Sequence, residues 1–408
     1  DNAFKKMKTQ SVIIGGGLAG LACASKMQKE KHKFFIIEQS DRLGGRVGSI
    51  YENEFIFDIG FQVYNTAYLY TNSLLNVNEI DLKFFKPGAR IHDGKHFKII
   101  SDPMRDISQL FSNLFSSLSS FSDKMKILLL KHELSNYSIE EDIENDRPTL
   151  EYLQSRGFSE KIIKLFFEPF FAGIFLEKRI ETSSKFFKYV FSNFSRGLAA
   201  LPSNGMQKIP DAISKNIRND LIMYNSRAMQ IKNSNTIILD DSKEIKADTI
   251  ILTGDSHELL GNKPIQYNSV TNLYFSSSIF PEFGSYIHLF PKDKLINNVA
   301  FLSSISSNYS PKSKCLISVS ILGLHDIKSL KNIIQKKLSK YFGGSEQEYD
   351  LIKSFELKKA TIKQPAYYFS NNLLTLKNKI IVAGDHTVNG SIEGAVISGI
   401  NSANQIIN

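Results

Sequence analysis

The chain has 408 residues, of which 42% are hydrophobic and 22% are charged, and its formal net charge is +9. Because this length exceeds what one hydrophobic core usually supports, the sequence predicts two domains of ordinary globular composition. The Lys residues are scattered, which argues against nucleic-acid binding, and no apolar run is long enough to predict a membrane span. The two cysteines have neither metal nor redox spacing, so we expect no disulfide scaffold, no metal site and a reducing, cytoplasmic location.

The first recognisable unit is a strand, a glycine-rich turn and a helix. A β-branched run at residues 12–14 predicts a buried strand, and residues 18–28 predict a helix. Between them Gly15, Gly17 and Gly20 form the pattern G-x-G-x-x-G. In this pattern the first glycine permits a tight turn, the second lets the backbone approach a pyrophosphate, and the third lets the helix pack closely on the strand.

A second apolar strand is predicted at residues 33–37, and Glu38 stands at its end. An acid at this distance from the glycines is the group that bonds a ribose hydroxyl in dinucleotide-binding folds. The strand, glycines, helix, strand and acid in register therefore predict a dinucleotide site. The alternative is a glycine-rich turn that holds no ligand.

The next segment indicates which dinucleotide. Glu38 is followed by Asp41-Arg42-Leu43-Gly44-Gly45-Arg46, and this combination resembles the flavin-dependent amine oxidase superfamily, which includes monoamine oxidases, protoporphyrinogen oxidase and the phytoene desaturases. The resemblance implies that the motif binds FAD. Gly44 and Gly45 allow a second close backbone approach, and Arg46 is suited to hold the pyrophosphate through bidentate hydrogen bonds. The alternative for Arg46 is a solvated surface residue.

Residues 55–62, FIFDIGFQ, match the place where the chain of this superfamily passes the flavin. Gly60 would permit close approach to the ring system, whereas Asp58 is equally well explained as a turn or cap residue. Residues 91–100 predict a hairpin around Asp93-Gly94.

From Pro103 to Leu201 the pattern is helical and aromatic. A stripe at helical spacing predicts a core face, with a membrane-surface helix as the alternative; it comprises Leu110, Phe111, Leu114, Phe115, Leu118 and Phe121. The segment from Pro148 to Gly173 resembles the phytoene desaturase-like branch, which implies an apolar substrate domain. Four phenylalanines are candidates either for a cavity wall or for plain core: Phe166, Phe167, Phe170 and Phe171.

The chain then returns to the first domain. Residues 202–210 resemble the superfamily segment Gly-Met-x-x-(Ile/Leu)-Pro that precedes a helix. Residues 221–255 predict two strand pairs and a last buried strand. Ala228 stands where relatives place a small residue against the adenine, and Thr253-Gly254 ends the strand that runs toward the cofactor.

Residues 266–364 predict the second half of the substrate domain. Strands are expected around residues 272–275, 286–289 and 315–319, followed by a basic helix at 327–341. His288 and His325 are interpreted as structural, since neither has a metal-ligand neighbour.

At the C-terminus a strand at residues 379–383 leads to Gly384-Asp385, and residues 392–399 open a last helix. This resembles the terminal flavin motif of the superfamily. Asp385 would bond a ribityl or pyrophosphate-side hydroxyl, and the amides around Glu393 to Ala395 would face the flavin pyrimidine edge, where a helix dipole stabilises the reduced ring. No cysteine lies near this motif, so FAD is expected to be noncovalent.

The fold class is therefore predicted as α/β, a Rossmann-like FAD-binding domain with an inserted α+β substrate domain. The FAD-binding domain is assigned to 1–60, 203–265 and 365–408, and the substrate domain to 61–202 and 266–364. The residues expected to bind FAD are Gly15, Gly17, Leu18, Ala19, Gly20, Glu38, Gln39, Gly44, Gly45, Arg46, Gly60, Phe61, Gln62, Ala228, Thr253, Gly254, Gly384, Asp385, Ile392, Glu393, Gly394 and Ala395.

The expected function is an FAD-dependent oxidoreductase that removes a hydride from a C–H bond of an apolar, isoprenoid- or polycycle-like substrate. Small amines or polyamines are the runner-up, because Tyr367 and Tyr368 do not match the family's aromatic pair and no counterpart of its lysine is recognisable. An isomerase using reduced flavin, and a non-catalytic prenyl-binding escort protein of the same fold, are further alternatives. The catalytic side chain is unassigned, the electron acceptor is left open between oxygen and a quinone, and peripheral membrane contact is compatible with the sequence.

Overall fold

The computed structural model describes residues 8–100, 120–370 and 379–407. The predicted apolar stripe from Leu110 to Leu118 lies outside the described residues. The strands, numbered β1 to β19 in chain order, are Lys8–Ile14, Phe34–Ile37, Ser49–Glu52, Phe55–Asp58, Tyr64–Asn65, Leu82–Phe84, Ala89–His92, Phe97–Ile100, Ala199–Pro202, Ile222–Met223, Ala228–Lys232, Thr236–Leu239, Glu244–Thr253, Tyr267–Ser277, Ile287–Leu289, Ile296–Phe301, Cys315–Leu322, Asp350–Ile362 and Ile380–Ala383.

The helices are numbered in the same way. Helices α1 to α11 are Leu18–Lys29, Leu69–Leu74, Phe121–Glu133, Thr149–Ser155, Glu160–Ile162, Glu168–Phe175, Ser184–Arg196, Lys208–Ser214, Leu302–Ile305, Ile327–Phe342 and Ile392–Ile407. A π-helical segment, Ile163–Phe167, joins α5 to α6. Short 3₁₀ turns occupy Asn219–Leu221, Gly254–Leu260, Ser307–Tyr309, Glu346–Glu348, Tyr368–Ser370 and Asp385–Thr387.

The first sheet is the Rossmann-like one. Strands β10, β2, β1, β13 and β19 lie side by side in parallel. Strand β12 pairs antiparallel with the first half of β13, and β11 pairs antiparallel with β12. Val12 and Ile13 of β1 are fully buried, as expected of a strand covered on both faces. Helices α1 and α11 pack closely, since a Cβ on Gly399 would lie 2.1 Å from the Ala19 carbonyl oxygen. The predicted α/β fold is confirmed.

The second sheet has the order β18-β14-β17-β16-β15-β7-β8, and its pairs are antiparallel except β15 with β7. The hairpin predicted at residues 91–100 is present as β7 and β8 and belongs to this sheet. Helix α10 packs on it through Leu330, Ile334 and Leu338, which are spaced by about one turn. The predicted strands of this region and the basic helix are all found.

Helices α3 to α7 form the helical insertion, whose core is largely aromatic. Phe167 and Phe171 are fully buried against Phe187 of α7, with ring centroids 6.1 and 4.7 Å apart. Lys188 on α7 is also buried and lies 2.7 Å from Asp142 Oδ2, so the loop before α4 is bound to the helical core.

One part of this region departs from the helical pattern expected of residues 103–201. Residues 199–202 form β9, which pairs with β5 and β6 in a three-stranded sheet. Gly197 follows the end of α7, and the position requires glycine because a Cβ there would lie 2.1 Å from Asn65 Oδ1. The predicted domain boundaries remain a prediction.

Candidate functional site

A cavity of about 1070 Å³ begins at the carboxyl ends of β1 and β13 and continues between the second sheet and the helical insertion. Ligands of open parallel sheets bind at this edge, where helix N-termini converge. Its lining contains the starts of α1 and α11 at one side and residues of α6, α7, β15 and β16 at the other. The cavity therefore joins the predicted nucleotide segments to the predicted substrate segments.

The glycine turn is built as its spacing predicts. Gly15 has φ +107°, and a Cβ on it would lie 2.2 Å from Thr253 Oγ1. Gly17 has φ −69°, and the nearest atom to a Cβ there is the Gly45 Cα, 4.0 Å away. Among the described residues no side chain caps helix α1 at Gly17. The space beside Gly17 and the amides of the first turn of α1 are thus left to a ligand.

Glu38 is held in place by its neighbours. Its Oε2 accepts a hydrogen bond from the Gly16 N–H at 2.6 Å, and its Oε1 accepts from the N–H and the hydroxyl of Ser40, both at 2.8 Å. The residue is only 6% exposed, yet it lines the cavity. The bonds fix the carboxylate beside the glycine turn, where a ribose hydroxyl would meet it.

Arg46 contacts Asp385 across the cavity. Its Nη2 lies 2.6 Å from Asp385 Oδ1, and its guanidinium lies 5.4 Å from the centroid of the Tyr267 ring. The pairing joins two predicted motifs that are far apart in the sequence. Because the Asp385 side chain is 7% exposed whereas the Arg46 side chain is 40% exposed, the arginine offers its outer N–H groups to the cavity.

A further group of cavity residues was not predicted from the sequence. The Tyr267 hydroxyl donates to Asp255 Oδ1 at 2.8 Å, and Lys359 Nζ donates to Asp255 Oδ2 at 2.6 Å. Burial opposes ionisation of Asp255, but these two hydrogen bonds outweigh it and lower the pKa of the carboxyl. The three residues come from three separate segments, so no local sequence signal indicates the network.

The other predicted cofactor residues also come together. All of the 22 except Gly20, Glu393 and Gly394 line the cavity. A Cβ on Gly20 would lie 2.0 Å from the Gly15 carbonyl oxygen, which is the helix-packing role expected of the third glycine. Gly394 is equally tight, at 2.1 Å from the Asn389 carbonyl oxygen.

The Glu393 side chain has a different task. Its carboxylate accepts hydrogen bonds from the N–H groups of Tyr70 and Thr71 at 2.7 and 2.9 Å and from the Thr71 hydroxyl at 2.6 Å. It therefore satisfies the free amides at the start of α2. The predicted contact of the neighbouring amides with a flavin remains a prediction.

Asp58 is a structural residue of this region. It is 1% exposed and accepts hydrogen bonds from the Ser49 hydroxyl at 2.6 Å, the Met206 N–H at 2.9 Å and the Tyr309 hydroxyl at 2.8 Å. Burial raises the pKa of Asp58 to about 6 in spite of these bonds. The residue joins β4 to the segment before α8 and does not line the cavity.

The four candidate phenylalanines divide by helical spacing. Phe166 and Phe170 line the cavity, whereas Phe167 and Phe171 are fully buried in the helical core. Residues four apart share one helix face, so each pair behaves as a unit. One face of α7 continues this wall, which altogether includes Phe85, Phe166, Phe170, Ile174, Phe186, Val190, Phe194, Ile287, Leu289 and Leu357.

The histidines and tyrosines that the sequence singled out lie away from this wall. His288 is fully buried against Phe301 and Phe342, and burial lowers its pKa to about 3. Tyr367 is exposed, and Tyr368 donates a hydrogen bond to the His386 carbonyl at 2.6 Å; neither is among the described residues that line the cavity.

The cavity fits FAD on two observations. The facing glycines Gly17 and Gly45 leave a cradle that a Cβ would narrow, next to the uncapped start of α1. Gln62 donates to two backbone carbonyls, which leaves its buried Oε1 without a partner among the described residues. An acceptor at this point suits a ring system that carries an N–H group.

Comparison with known proteins supports the same cofactor. A family model for flavin containing amine oxidoreductases matches residues 18–407. A 1-hydroxycarotenoid 3,4-desaturase of Flavobacterium sp. (strain P99-3) is 29% identical over 99 residues, which is 23% of this chain and 20% of that protein. The match thus spans about a fifth of that relative's length.

Two solved structures share the fold. A putative protoporphyrinogen oxidase from Exiguobacterium sp. 255-15 superposes with a TM-score of 0.75 at 16% identity, covering 98% of both chains. Cyclohexylamine oxidase from Brevibacterium oxydans IH-35A gives a TM-score of 0.70 at 15% identity, again covering 98% of both chains. Given the family match over nearly the whole chain, this protein belongs to the flavin containing amine oxidoreductases and is an FAD-dependent oxidoreductase.

Proposed function

We propose that this oxidoreductase removes a hydride from a C–H bond of an apolar, isoprenoid- or polycycle-like substrate. The observation that carries the proposal is the continuity of the cavity with a wall of phenylalanine, leucine and isoleucine side chains. Such a wall desolvates its occupant and stabilises an apolar molecule in proportion to the surface that it buries. The desaturase relative and the protoporphyrinogen oxidase neighbour have names consistent with this class.

The charges of the cavity favour the same class of substrate. In the described part of the chain, the wall formed by α6, α7, β15 and β16 contains no Asp or Glu. The lining carboxylates come from the nucleotide segments, where Asp255 bonds Lys359 and Asp385 bonds Arg46. A buried ammonium group would therefore lack a counter-ion at the substrate side.

The chain's own residues supply binding, orientation and exclusion of water. FAD supplies the hydride-accepting ring when it is bound. The start of α1 and Arg46 would hold its pyrophosphate, and Glu38 would hold its ribose. Phe166 and Phe170 would cover the substrate and keep water away from the reacting bond. No side-chain acid or base is assigned.

Amine oxidation is the second candidate, and the likeness to cyclohexylamine oxidase favours it. For this activity the amine would have to bind in its neutral form, since the apolar wall does not compensate a positive charge. The proposal also includes the electron acceptor, which is either oxygen or a quinone and reoxidises the flavin. No helix in the described ranges is long and apolar enough to cross a membrane. As a separate part of the proposal, the protein is cytoplasmic and meets apolar substrates at a membrane surface.

The test is anaerobic reduction of the bound flavin by two panels of compounds. Small primary and secondary amines form one panel, and apolar polyenes in detergent form the other, with dithionite as the reference for complete bleaching. We expect bleaching of the visible flavin absorption by members of the polyene panel. Bleaching by the amines alone would overturn the apolar-substrate proposal and favour the second candidate.

A further inference from the structure

Three asparagines that line the cavity have side-chain NH₂ groups without a hydrogen-bond partner among the described residues. The side-chain nitrogens of Asn65, Asn193 and Asn298 are buried and make no hydrogen bond within residues 8–100, 120–370 and 379–407. All three residues line the cavity, and they are only 3%, 5% and 2% exposed. Buried donors without partners are uncommon in folded proteins and call for an explanation. Because all three residues line the cavity, a molecule bound there is one source of partners for them.

The orientation of the amides is set by their other end. Asn193 Oδ1 accepts from Arg196 Nη2 at 3.0 Å, and Asn65 Oδ1 accepts from the Ala67 N–H at 2.9 Å. A guanidinium and a backbone N–H only donate, so in both residues the atom bonded to the protein is the oxygen, and the NH₂ is the group left without a partner. Asn298 Oδ1 accepts from the amide of Asn297 at 3.0 Å, a partner that can both donate and accept and so does not by itself fix the orientation of Asn298.

The donors come from three different elements around the cavity. Asn65 lies in β5, Asn193 in α7 and Asn298 in β16 of the second sheet. Tyr189, one turn before Asn193 on α7, lines the cavity too. Burial raises the pKa of Tyr189 to about 12, so this hydroxyl keeps its proton at neutral pH.

A pure hydrocarbon would leave these donors unpaired once it displaced water, which opposes its binding. An ammonium group cannot form hydrogen bonds with these donors either, because it has no acceptor atom. The matching occupant is apolar along most of its surface and carries oxygen atoms that accept hydrogen bonds.

From this arrangement we infer that the enzyme selects an oxygen-bearing apolar substrate, with a carbonyl, hydroxyl or carboxylate group bound by Asn193 and Asn65. The inference rests on the proposed function and narrows its substrate class from apolar molecules in general to oxygenated ones. Asn298 provides a further donor from the second sheet. The wall of α6 and α7 then holds the hydrocarbon part of the same molecule.

The experiment compares five probes that share one carbon skeleton: farnesene, farnesol, farnesal, farnesoic acid and farnesylamine. Binding to the FAD-loaded enzyme is followed under air-free conditions through the change that each probe causes in the spectrum of the oxidised flavin. We expect the three oxygenated probes to bind at least about tenfold more tightly than farnesene or farnesylamine. Equal or tighter binding of farnesene or farnesylamine would overturn the inference, as would the absence of binding by every probe.

The variants Asn193→Asp and Asn65→Asp sharpen the test. Each keeps the Oδ1 that bonds Arg196 or the Ala67 N–H and exchanges the open donor for an acceptor. The control is Asn76→Asp, because Asn76 Oδ1 also accepts from an N–H two residues on, that of Asn78, but lies at the exposed surface outside the cavity. We expect each cavity variant to weaken binding of the oxygenated probes by about tenfold, with unchanged FAD content, and the control to have no effect.

Three outcomes distinguish failure of this inference from failure of the proposed function. If the cavity variants lose FAD instead of probe affinity, the open amides serve the cofactor, and the inference falls while the proposed function stands. If the wild-type enzyme shows no head-group preference yet apolar polyenes bleach its flavin, only the inference fails. Bleaching by amines alone contradicts the proposed function itself.

Discussion

The substitution Gly17→Ala separates ligand binding from folding. Gly17 has φ −69° and ψ 177°, which any residue adopts, and the atom nearest to an added Cβ is 4.0 Å away. Alanine lowers the entropy of the unfolded chain, which stabilises by about 0.4–1 kcal/mol, but it is a poorer helix N-cap than glycine. These effects oppose each other, so the free energy of unfolding of the apo-protein should change by less than about 1 kcal/mol.

The substitution should instead weaken the binding of FAD. The methyl group would fill the space between Gly17 and Gly45 and push the pyrophosphate away from the amides of α1. Losing hydrogen bonds to a charged group costs about 1.5–3 kcal/mol, which weakens FAD binding by roughly 10- to 150-fold.

The assay pairs two measurements on each variant. FAD affinity is obtained by adding the cofactor to apo-protein and following the quenching of flavin fluorescence, and stability is obtained from urea unfolding of the apo-protein. The matched control is Gly15→Ala, which should destabilise the fold itself because of its φ of +107° and the nearby Thr253 hydroxyl. Unchanged FAD affinity in Gly17→Ala would refute the assignment of the glycine turn to the pyrophosphate.

Four further predictions follow from the geometry. Arg46→Ala should weaken FAD binding by about 1.5–3 kcal/mol in the same titration. A variant that binds FAD as tightly as the wild type, at both low and high salt, would contradict this. Phe171→Ala should lower the free energy of unfolding by about 3–5 kcal/mol in urea. Phe170→Ala should lower it by less and should chiefly weaken substrate binding. Equal decreases in stability would contradict the placement of Phe170 in the cavity wall. Glu393→Ala should lower the free energy of unfolding by about 1–3 kcal/mol because it leaves the buried N–H and hydroxyl of Thr71 in α2 unpaired, and a stability equal to wild type would refute this role. The raised pKa of Asp58 means that the folded state holds the proton more tightly, so as the pH rises from well below about 4 to well above about 6 the wild type should lose about 3 kcal/mol relative to Asp58→Asn, and parallel stability curves would disprove it.

Much of the nucleotide side of the site could be predicted because its signals are local. A strand, a turn that requires glycine and a helix are adjacent in the chain, and Gly15 indeed has a positive φ. The acid after the second strand is similarly fixed by the length of the βαβ unit. For Arg46 and Asp385 the resemblance to a family supplied the link, and the two side chains are in contact.

The substrate side could be predicted only in part. The sequence left all four phenylalanines between positions 166 and 171 as candidates for a cavity wall or for core, because a helical pattern does not show which helix face meets a cavity. The position of Glu393 at a helix start suggested a cofactor contact, whereas its side chain bonds the start of α2, more than 300 residues away in the chain. The open amide of Asn193 gave no sequence signal, because burial of a lone asparagine depends on tertiary packing.

The most direct test of the account is the flavin content of the purified protein. The absorption spectrum of the native protein should show bound oxidised flavin, and denaturation followed by filtration should release one FAD per chain into the filtrate. This result would support the noncovalent FAD expected from the cavity around Gly17, Glu38 and Arg46. A colourless protein that also fails to take up added FAD would contradict the account.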